Sequence, residues 1–160
     1  NEEFNLFVVM QKTHSQYNLK SGYRTMQQYL VDMLLPEVCY GDLKMADFKQ
    51  LRVVNMQIPI VPASCFSGCS RLASFNFSAT NIINNYAFGQ CSSLKSVISK
   101  SIVEIDSGAF CQCFNLKTVW LDACTKIHRS SLQSCFNLHH LYTPNVSNKD
   151  FLQDINYWPH

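Results

Sequence analysis

The stretch IDSGAFCQCFNLKTVWLD, residues 105–122, decides the fold of this 160-residue chain because it is one of four related copies. The others are VPASCFSGCSRLASFNFS (61–78), INNYAFGQCSSLKSVISK (83–100) and IHRSSLQSCFNLHHLYTP (127–144). They align without gaps, and each copy begins 22 residues after the one before it. Self-similarity at a fixed period of about 20 to 50 residues indicates a repeat architecture.

Five positions agree across the four copies, and a shorter fifth copy precedes them. The agreeing positions form columns: Val61, Ile83, Ile105, Ile127; Phe66, Phe88, Phe110, Leu132; Cys69, Cys91, Cys113, Cys135; Leu72, Leu94, Leu116, Leu138; and Phe75, Val97, Val119, Leu141. The segment YGDLKMADFKQLRVVNM (40–56) fits the same columns with one residue fewer. It supplies Tyr40, Met45, Phe48, Leu51, Val54 and Met56.

The motif Leu-x-x-Val, as in LKTVWL (116–121), predicts a short strand in which alternate apolar residues point inward. A period of 22 lies in the range of leucine-rich repeats. So few residues remain between strands that each return is expected to be a turn or one short helix. The prediction is an α/β solenoid whose parallel sheet forms one face and whose stacked copies share one core.

The two ends do not follow the columns. TMQQYLVDMLLPE (25–37) predicts a helix, with Thr25 and Gln28 as a capping box and Pro36 at its end. We therefore expect three parts: a helical N-terminal capping region (1–39), the repeats (40–144) and a C-terminal partial repeat or cap (145–160). Residues 145–160 are expected to fold over the last strand's edge, or else the chain associates through that edge.

The pattern Ile-x4-Phe-x2-Cys-x2-Leu-x2-Val, present in AFGQCSSLKSV (87–97) and AFCQCFNLKTV (109–119), resembles the BspA-like class of leucine-rich repeats. The resemblance covers about residues 40–144. It implies the solenoid fold and a surface, adhesion or interaction protein. The sequence departs from the class in two ways: most copies lack the usual Ile-Pro after the strand, and Leu132 replaces Phe.

The cysteine column is predicted to be a reduced ladder buried along the core, because free cysteine packs as a small apolar residue. A disulfide between rungs is the alternative, and a zinc site is a further one, although CFSGC (65–69) and CQC (111–113) lack the usual C-x2-C spacing. Cys65 is expected to be a small packed residue. Cys39, Cys111 and Cys124 lie outside the inward columns and are the predicted reactive thiols.

A nucleophilic Cys-His pair would need an accessible thiol, whereas Cys135, near His139 and His140, lies in the ladder. The sequence has no phosphate loop and only five glycines. We therefore predict no enzyme and no cofactor.

The outward strand positions become larger toward the C-terminal half of the sheet, beside a column of basic side chains. The predicted partner-binding residues are Ile98, Trp120, His140, Tyr142, Lys95, Lys117 and His139. Exposed aromatic and basic side chains are typical of protein-binding hot spots. The alternative is that the chain's own end or a neighbouring molecule covers Trp120.

A net charge of +2 and the lack of a long apolar run argue against nucleic-acid binding and membrane insertion. The expected function is interaction with a protein or glycan partner, adhesion included. The alternative is a structural or targeting spacer in a longer protein, and self-association through the terminal rung is a further option. Reduced thiols suit the cytosol and the resemblance implies the cell surface, so the sequence leaves both compartments open.

Overall fold

The computed structural model describes residues 4–8, 51–56, 58–153 and 155. Its strands are β1 (Phe4–Val8), β2 (Leu51–Met56), β3 (Ile60–Val61), β4 (Ser74–Phe75), β5 (Ile82–Ile83), β6 (Ser96–Ser99), β7 (Glu104–Ile105), β8 (Thr118–Leu121), β9 (Lys126–Ile127) and β10 (His140–Tyr142), followed by a 3-10 helix, Asp150–Leu152. Every pairing between these strands is parallel. The chain is a parallel β-solenoid of about four turns, as the repeat predicts.

The predicted strands, together with β1, form the front sheet, in two parts ordered β1-β2-β4 and β6-β8-β10. Val97 pairs with Val119, an offset of 22 residues that equals the sequence period. Val54 pairs with Phe75, an offset of 21. The missing residue of the shorter copy therefore falls between β2 and β3, and the strand register follows the columns.

A second parallel sheet, which we call the back sheet, was not predicted. Its order is β3-β5-β7-β9, and Ile83 pairs with Ile105, and Ile105 with Ile127. The isoleucine column thus forms a strand of its own in each return. It buries Val61, Ile83 and Ile105 against the same core as the front strands.

Each return contains a turn, one of the two forms expected, and the alternative short helix is absent from the described part of the chain, which contains no α-helix. Alternate amides of the return bond to the next rung instead of to their own turn: Phe66 N donates to Ala87 O at 2.7 Å and Phe88 N to Ala109 O at 2.8 Å. Left-handed residues such as Tyr86 (φ 56°) interrupt the right-handed run that a helix needs. The α/β designation is therefore wrong for the described residues.

The structure describes part of each end of the chain. Within the predicted N-terminal capping region, β1 is a strand that pairs with β2, so this part extends the front sheet instead of forming a helix. The helix predicted for residues 25–37 lies outside the described residues. At the other end, Val146, Phe151 and Ile155 are buried in the core cluster, so the described residues after Pro144 pack against the core at the last rung.

Candidate partner-binding face

The front sheet presents three outward columns in its C-terminal half. Parallel pairing aligns Ile98, Trp120 and Tyr142 in one column and Ser96, Thr118 and His140 in the next. The third column, Lys95, Lys117 and His139, immediately precedes the strands and is exposed. All seven predicted site residues therefore lie on one face, over three consecutive rungs.

The face is dominated by a pair of exposed aromatic rings. Trp120 and Tyr142 are stacked, with ring centroids 4.2 Å apart and ring planes at 29°. Trp120 and Tyr142 remain 46% and 40% exposed, and Ile98 beside them is 58% exposed. The Trp120 indole N–H donates to Asp122 Oδ1 at 3.0 Å, which fixes the ring's orientation. The rings thus form a held apolar platform that the described residues leave uncovered.

Two further exposed aromatic residues belong to this half, and our sequence analysis missed them. Phe114 and Phe136 lie at the turn before the front strand, are 43% and 62% exposed, and stack with centroids 6.1 Å apart. Their column holds Ser70 and Ser92 in the first two copies. A comparison of outward columns alone, rather than of the conserved inward ones, would have found this change from serine to phenylalanine.

The charges of the front and back sheets differ. Four acidic residues have described side chains, and two of them, Glu104 and Asp106, lie on or directly after back strand β7. Lys126 of β9 forms an ion pair there with Glu104, at 3.0 Å. On the front side, Asp122 already accepts the Trp120 indole N–H. The front face therefore presents lysine and histidine with little opposing charge among the described residues.

The cysteine column is a buried ladder of free thiols. Cys69, Cys91, Cys113 and Cys135 are fully buried, and none of the seven described cysteines forms a disulfide. Each of the last three donates its S–H to the carbonyl oxygen of a phenylalanine-column residue in the preceding copy. The Sγ to O distances are 3.2 Å for Cys91 to Phe66, 3.2 Å for Cys113 to Phe88 and 3.1 Å for Cys135 to Phe110.

This geometry explains why cysteine recurs: the position needs a small apolar side chain that can also donate weakly. Burial raises the pKa of Cys91 and Cys113, and it raises the pKa of Cys135 to about 12. A thiol held neutral in this way is a poor nucleophile. The exposed His139 and His140 lie on the outer surface, while the Cys135 thiol points into the core.

The other thiols only partly match their predictions. Cys65 is buried as expected, and burial raises its pKa well above the ordinary value. Cys124 was predicted to be reactive, but its side chain is fully buried and burial raises its pKa as well, so that prediction is wrong. Cys111 is half-buried, and Cys39 lies outside the described residues. Within the described part, no group of three or more His, Cys, Asp or Glu side chains could hold a metal ion.

A scan against protein-family models matches residues 44–155 to the BspA type leucine rich repeat region, with six copies. The chain belongs to this family. No curated protein matches this BspA-type chain. The match confirms the resemblance drawn from the repeat columns.

Two solved structures are similar to the BspA-type chain. One is a leucine rich cell surface protein from Faecalibacterium prausnitzii, with 21% identity and a TM-score of 0.48; the alignment covers 62% of this chain and 34% of that one. The other is the leucine rich repeat protein of T. pallidum, with 19% identity, a TM-score of 0.37 and coverage of 61% and 54%. The BspA-type chain thus spans about a third of one of these proteins and about half of the other. No helix among the described residues is long and apolar enough to cross a membrane.

Proposed function

We propose that this BspA-type chain is an interaction module without chemistry of its own, which binds a partner protein through the C-terminal half of the front sheet. The observation that carries the proposal is the exposed Trp120–Tyr142 stack, held by Asp122 and flanked by Ile98. Tryptophan and tyrosine are the side chains most often responsible for binding energy at protein interfaces. An adhesive role is the same interaction displayed at a surface.

Packing does not explain these rings. The inward neighbours of Trp120 on its strand, Val119 and Leu121, are buried and already belong to the core. The repeat accepts a small polar residue at the outward position, since Asn76 occupies the Trp120 column in the first copy. The aromatic residues therefore add exposed apolar area that the repeat itself does not require, which is the pattern expected of a binding surface.

The proposal is tested by selecting a phage-displayed library of random dodecapeptides on the immobilised 160-residue chain. Recovered clones are then tested against the double variant Trp120→Ala/Tyr142→Ala. We expect most clones to lose binding while the variant's melting temperature changes by less than about 3 °C, because the rings contribute little to the core.

The matched control is Tyr86→Ala, since Tyr86 is exposed to a similar extent but lies at the turn of the return. Clones should bind this variant as they bind the original chain. Recovery of no clone that depends on Trp120 and Tyr142 would refute the proposal. A large loss of stability in the double variant would show instead that the rings are structural.

A further inference from the structure

The third and fourth copies share an exposed pattern that the first two lack. In the third copy, three exposed residues spaced three positions apart are Phe114, Lys117 and Trp120. The fourth presents Phe136, His139 and Tyr142, while the first has Ser70, Ala73 and Asn76 at the same places. The last two rungs thus carry an aromatic, a basic and a second aromatic column, which together we call the six-residue patch.

The three columns of the patch follow one another along the strand direction. Both aromatic columns are stacked pairs, at 6.1 Å for Phe114 with Phe136 and 4.2 Å for Trp120 with Tyr142. Three residues of extended chain span at most about 10 Å, so the basic column lies within about 10 Å of each aromatic column. A ligand that covers the patch therefore meets apolar, basic and apolar surface in that order.

The basic column is open to an incoming charge. Lys117 and His139 are exposed, and neither side chain makes a hydrogen bond or ion pair with any described residue. Their backbones are held, since His139 N donates to Lys117 O at 2.9 Å. By contrast Lys126, on the back sheet, is already paired with Glu104. The patch therefore places two basic side chains, which have no acidic partner among the described residues, between two pairs of aromatic rings.

We propose that the partner bound by this face is a polypeptide segment in which one or two carboxylates lie between apolar side chains. The inference rests on the function proposed above and specifies its partner. Lys117 and His139 donate hydrogen bonds to the carboxylates, and the two aromatic pairs receive the flanking apolar groups. Opposite charge on the two surfaces fixes the register, and the aromatic contacts supply most of the affinity.

A polypeptide fits the patch better than a sulfated glycan does. A glycan bound by its sulfates needs a run of cations, whereas in the patch Lys117 and His139 are each bordered by aromatic rings. The indole N–H of Trp120, the donor that a sugar hydroxyl would use, is already bonded to Asp122. Apolar side chains on both sides of a carboxylate use every column of the patch.

The test uses the peptide library above and then defined synthetic peptides. Clones that depend on Trp120 and Tyr142 should be enriched in Asp or Glu flanked on both sides by Leu, Ile, Phe or Trp. A fluorescein-labelled dodecapeptide with this pattern is titrated against the whole chain by fluorescence anisotropy. Its Asn/Gln analogue should bind about tenfold more weakly, because the charge-assisted hydrogen bonds are lost.

Matched variants separate the columns. Lys117→Gln/His139→Gln should weaken the acidic peptide about tenfold and leave the amide analogue unchanged, whereas Lys126→Gln, which removes one positive charge from the back sheet, should have little effect. Phe114→Ala/Phe136→Ala should weaken both peptides, and Tyr86→Ala neither. A heparin-derived dodecasaccharide is the glycan probe, and it is expected not to compete.

The outcomes distinguish this inference from the function on which it rests. If the clones depend on Trp120 and Tyr142 but carry no acidic residue, the partner class is wrong and the binding face stands. Equal affinity for the acidic peptide and its amide analogue, or tight heparin binding that needs Lys117, also overturns the partner class. If no clone depends on Trp120 and Tyr142, both proposals fail.

Discussion

In the two halves of the solenoid, aromatic side chains lie on opposite sides of the front strands. In the first copy, SFNFS (74–78) turns Phe75 and Phe77 into the core and Asn76 outward. In the third copy, TVWLD (118–122) turns Val119 and Leu121 inward and Trp120 outward. Side chains alternate between the inward and outward sides of the strand in both copies. The copies therefore differ in whether the aromatic residues occupy inward or outward positions.

The inward rings of the N-terminal half form a continuous cluster. Phe66, Phe88 and Phe110 stack with centroids 5.4 and 5.3 Å apart, and Phe75 packs edge-on against Phe88 at 4.9 Å. The stack ends where Leu132 replaces phenylalanine. Packing therefore accounts for the rings of this cluster, which reaches the third copy at Phe110, whereas the exposed rings of the third and fourth copies are those that we propose to bind a partner.

The largest expected effect comes from removing a ring at the centre of the cluster. Phe88→Ala should lower the free energy of unfolding by about 3–5 kcal/mol, because it leaves a cavity against Phe66, Phe75 and Phe110. Urea denaturation followed by circular dichroism measures the change.

The same substitution in the other half is the control. Phe136→Ala should change the free energy of unfolding by less than about 0.5 kcal/mol, because that ring is 62% exposed. Similar losses for both variants would contradict the comparison between the halves.

The thiol ladder is a feature that the halves share, so its variants should not distinguish them. Cys91→Ala and Cys113→Ala should each lower stability by about 1–2 kcal/mol, through lost packing and the lost S–H donor. The loss stays moderate because Phe66 O and Phe88 O each keep a backbone donor, Cys69 N and Cys91 N, both at 3.1 Å. Thermal or urea unfolding that separates the two variants by more than their errors would show that the ladder is uneven.

The sequence predicted the rung well because a repeated column is a repeated physical requirement. An inward Leu, Cys or Phe must pack against its counterpart in the next rung. Each of the four copies is therefore subject to the same packing requirement. The period also fixes the register, which the pairing of Val97 with Val119 confirms. The returns were harder, because their backbone bonds run between rungs, as from Phe66 N to Ala87 O, and local propensity does not report such bonds.

The candidate face was predictable only in part. Strand alternation identified Trp120 and Tyr142 as outward, and the structure places them in one column. Phe114 and Phe136 were missed because they lie in a turn, where no alternation applies. Cys124 was misassigned because burial outside the conserved columns depends on where the loop between β8 and β9 packs.

A glycine in a turn lies where the second and third copies contact each other. Gly108, at the turn of the third copy, has φ +64°, and an added Cβ would overlap the ring of Tyr86 from the second copy. Gly108→Ala should lower stability by about 1–2 kcal/mol, because alanine resists the left-handed conformation and meets the ring. The matched double variant Tyr86→Ala/Gly108→Ala, measured by urea denaturation, should recover the steric part. If the double-mutant cycle shows no coupling energy between the two positions, the loss of stability arises only from the backbone conformation at position 108.

The smallest expected effect is a pH dependence carried by the ladder. Burial raises the pKa of Cys135 to about 12, so the folded state keeps this proton while the unfolded chain loses it. The stabilisation is complete below the ordinary thiol pKa and is lost as the pH rises from there toward the folded value. Between pH 7 and 9 each such thiol should therefore lower stability by roughly 0.5 kcal/mol.

Urea midpoints at pH 7, 8 and 9 measure this slope, and Cys135→Ala should reduce it by one thiol's share. Cys91→Ala, two rungs away in the second copy, should reduce it equally, because burial raises the pKa of that thiol too. A slope that neither variant changes would mean that the alkaline loss arises elsewhere. A slope changed by only one of them would place a real difference between the halves in the core itself, and not only in the side to which their aromatic rings point.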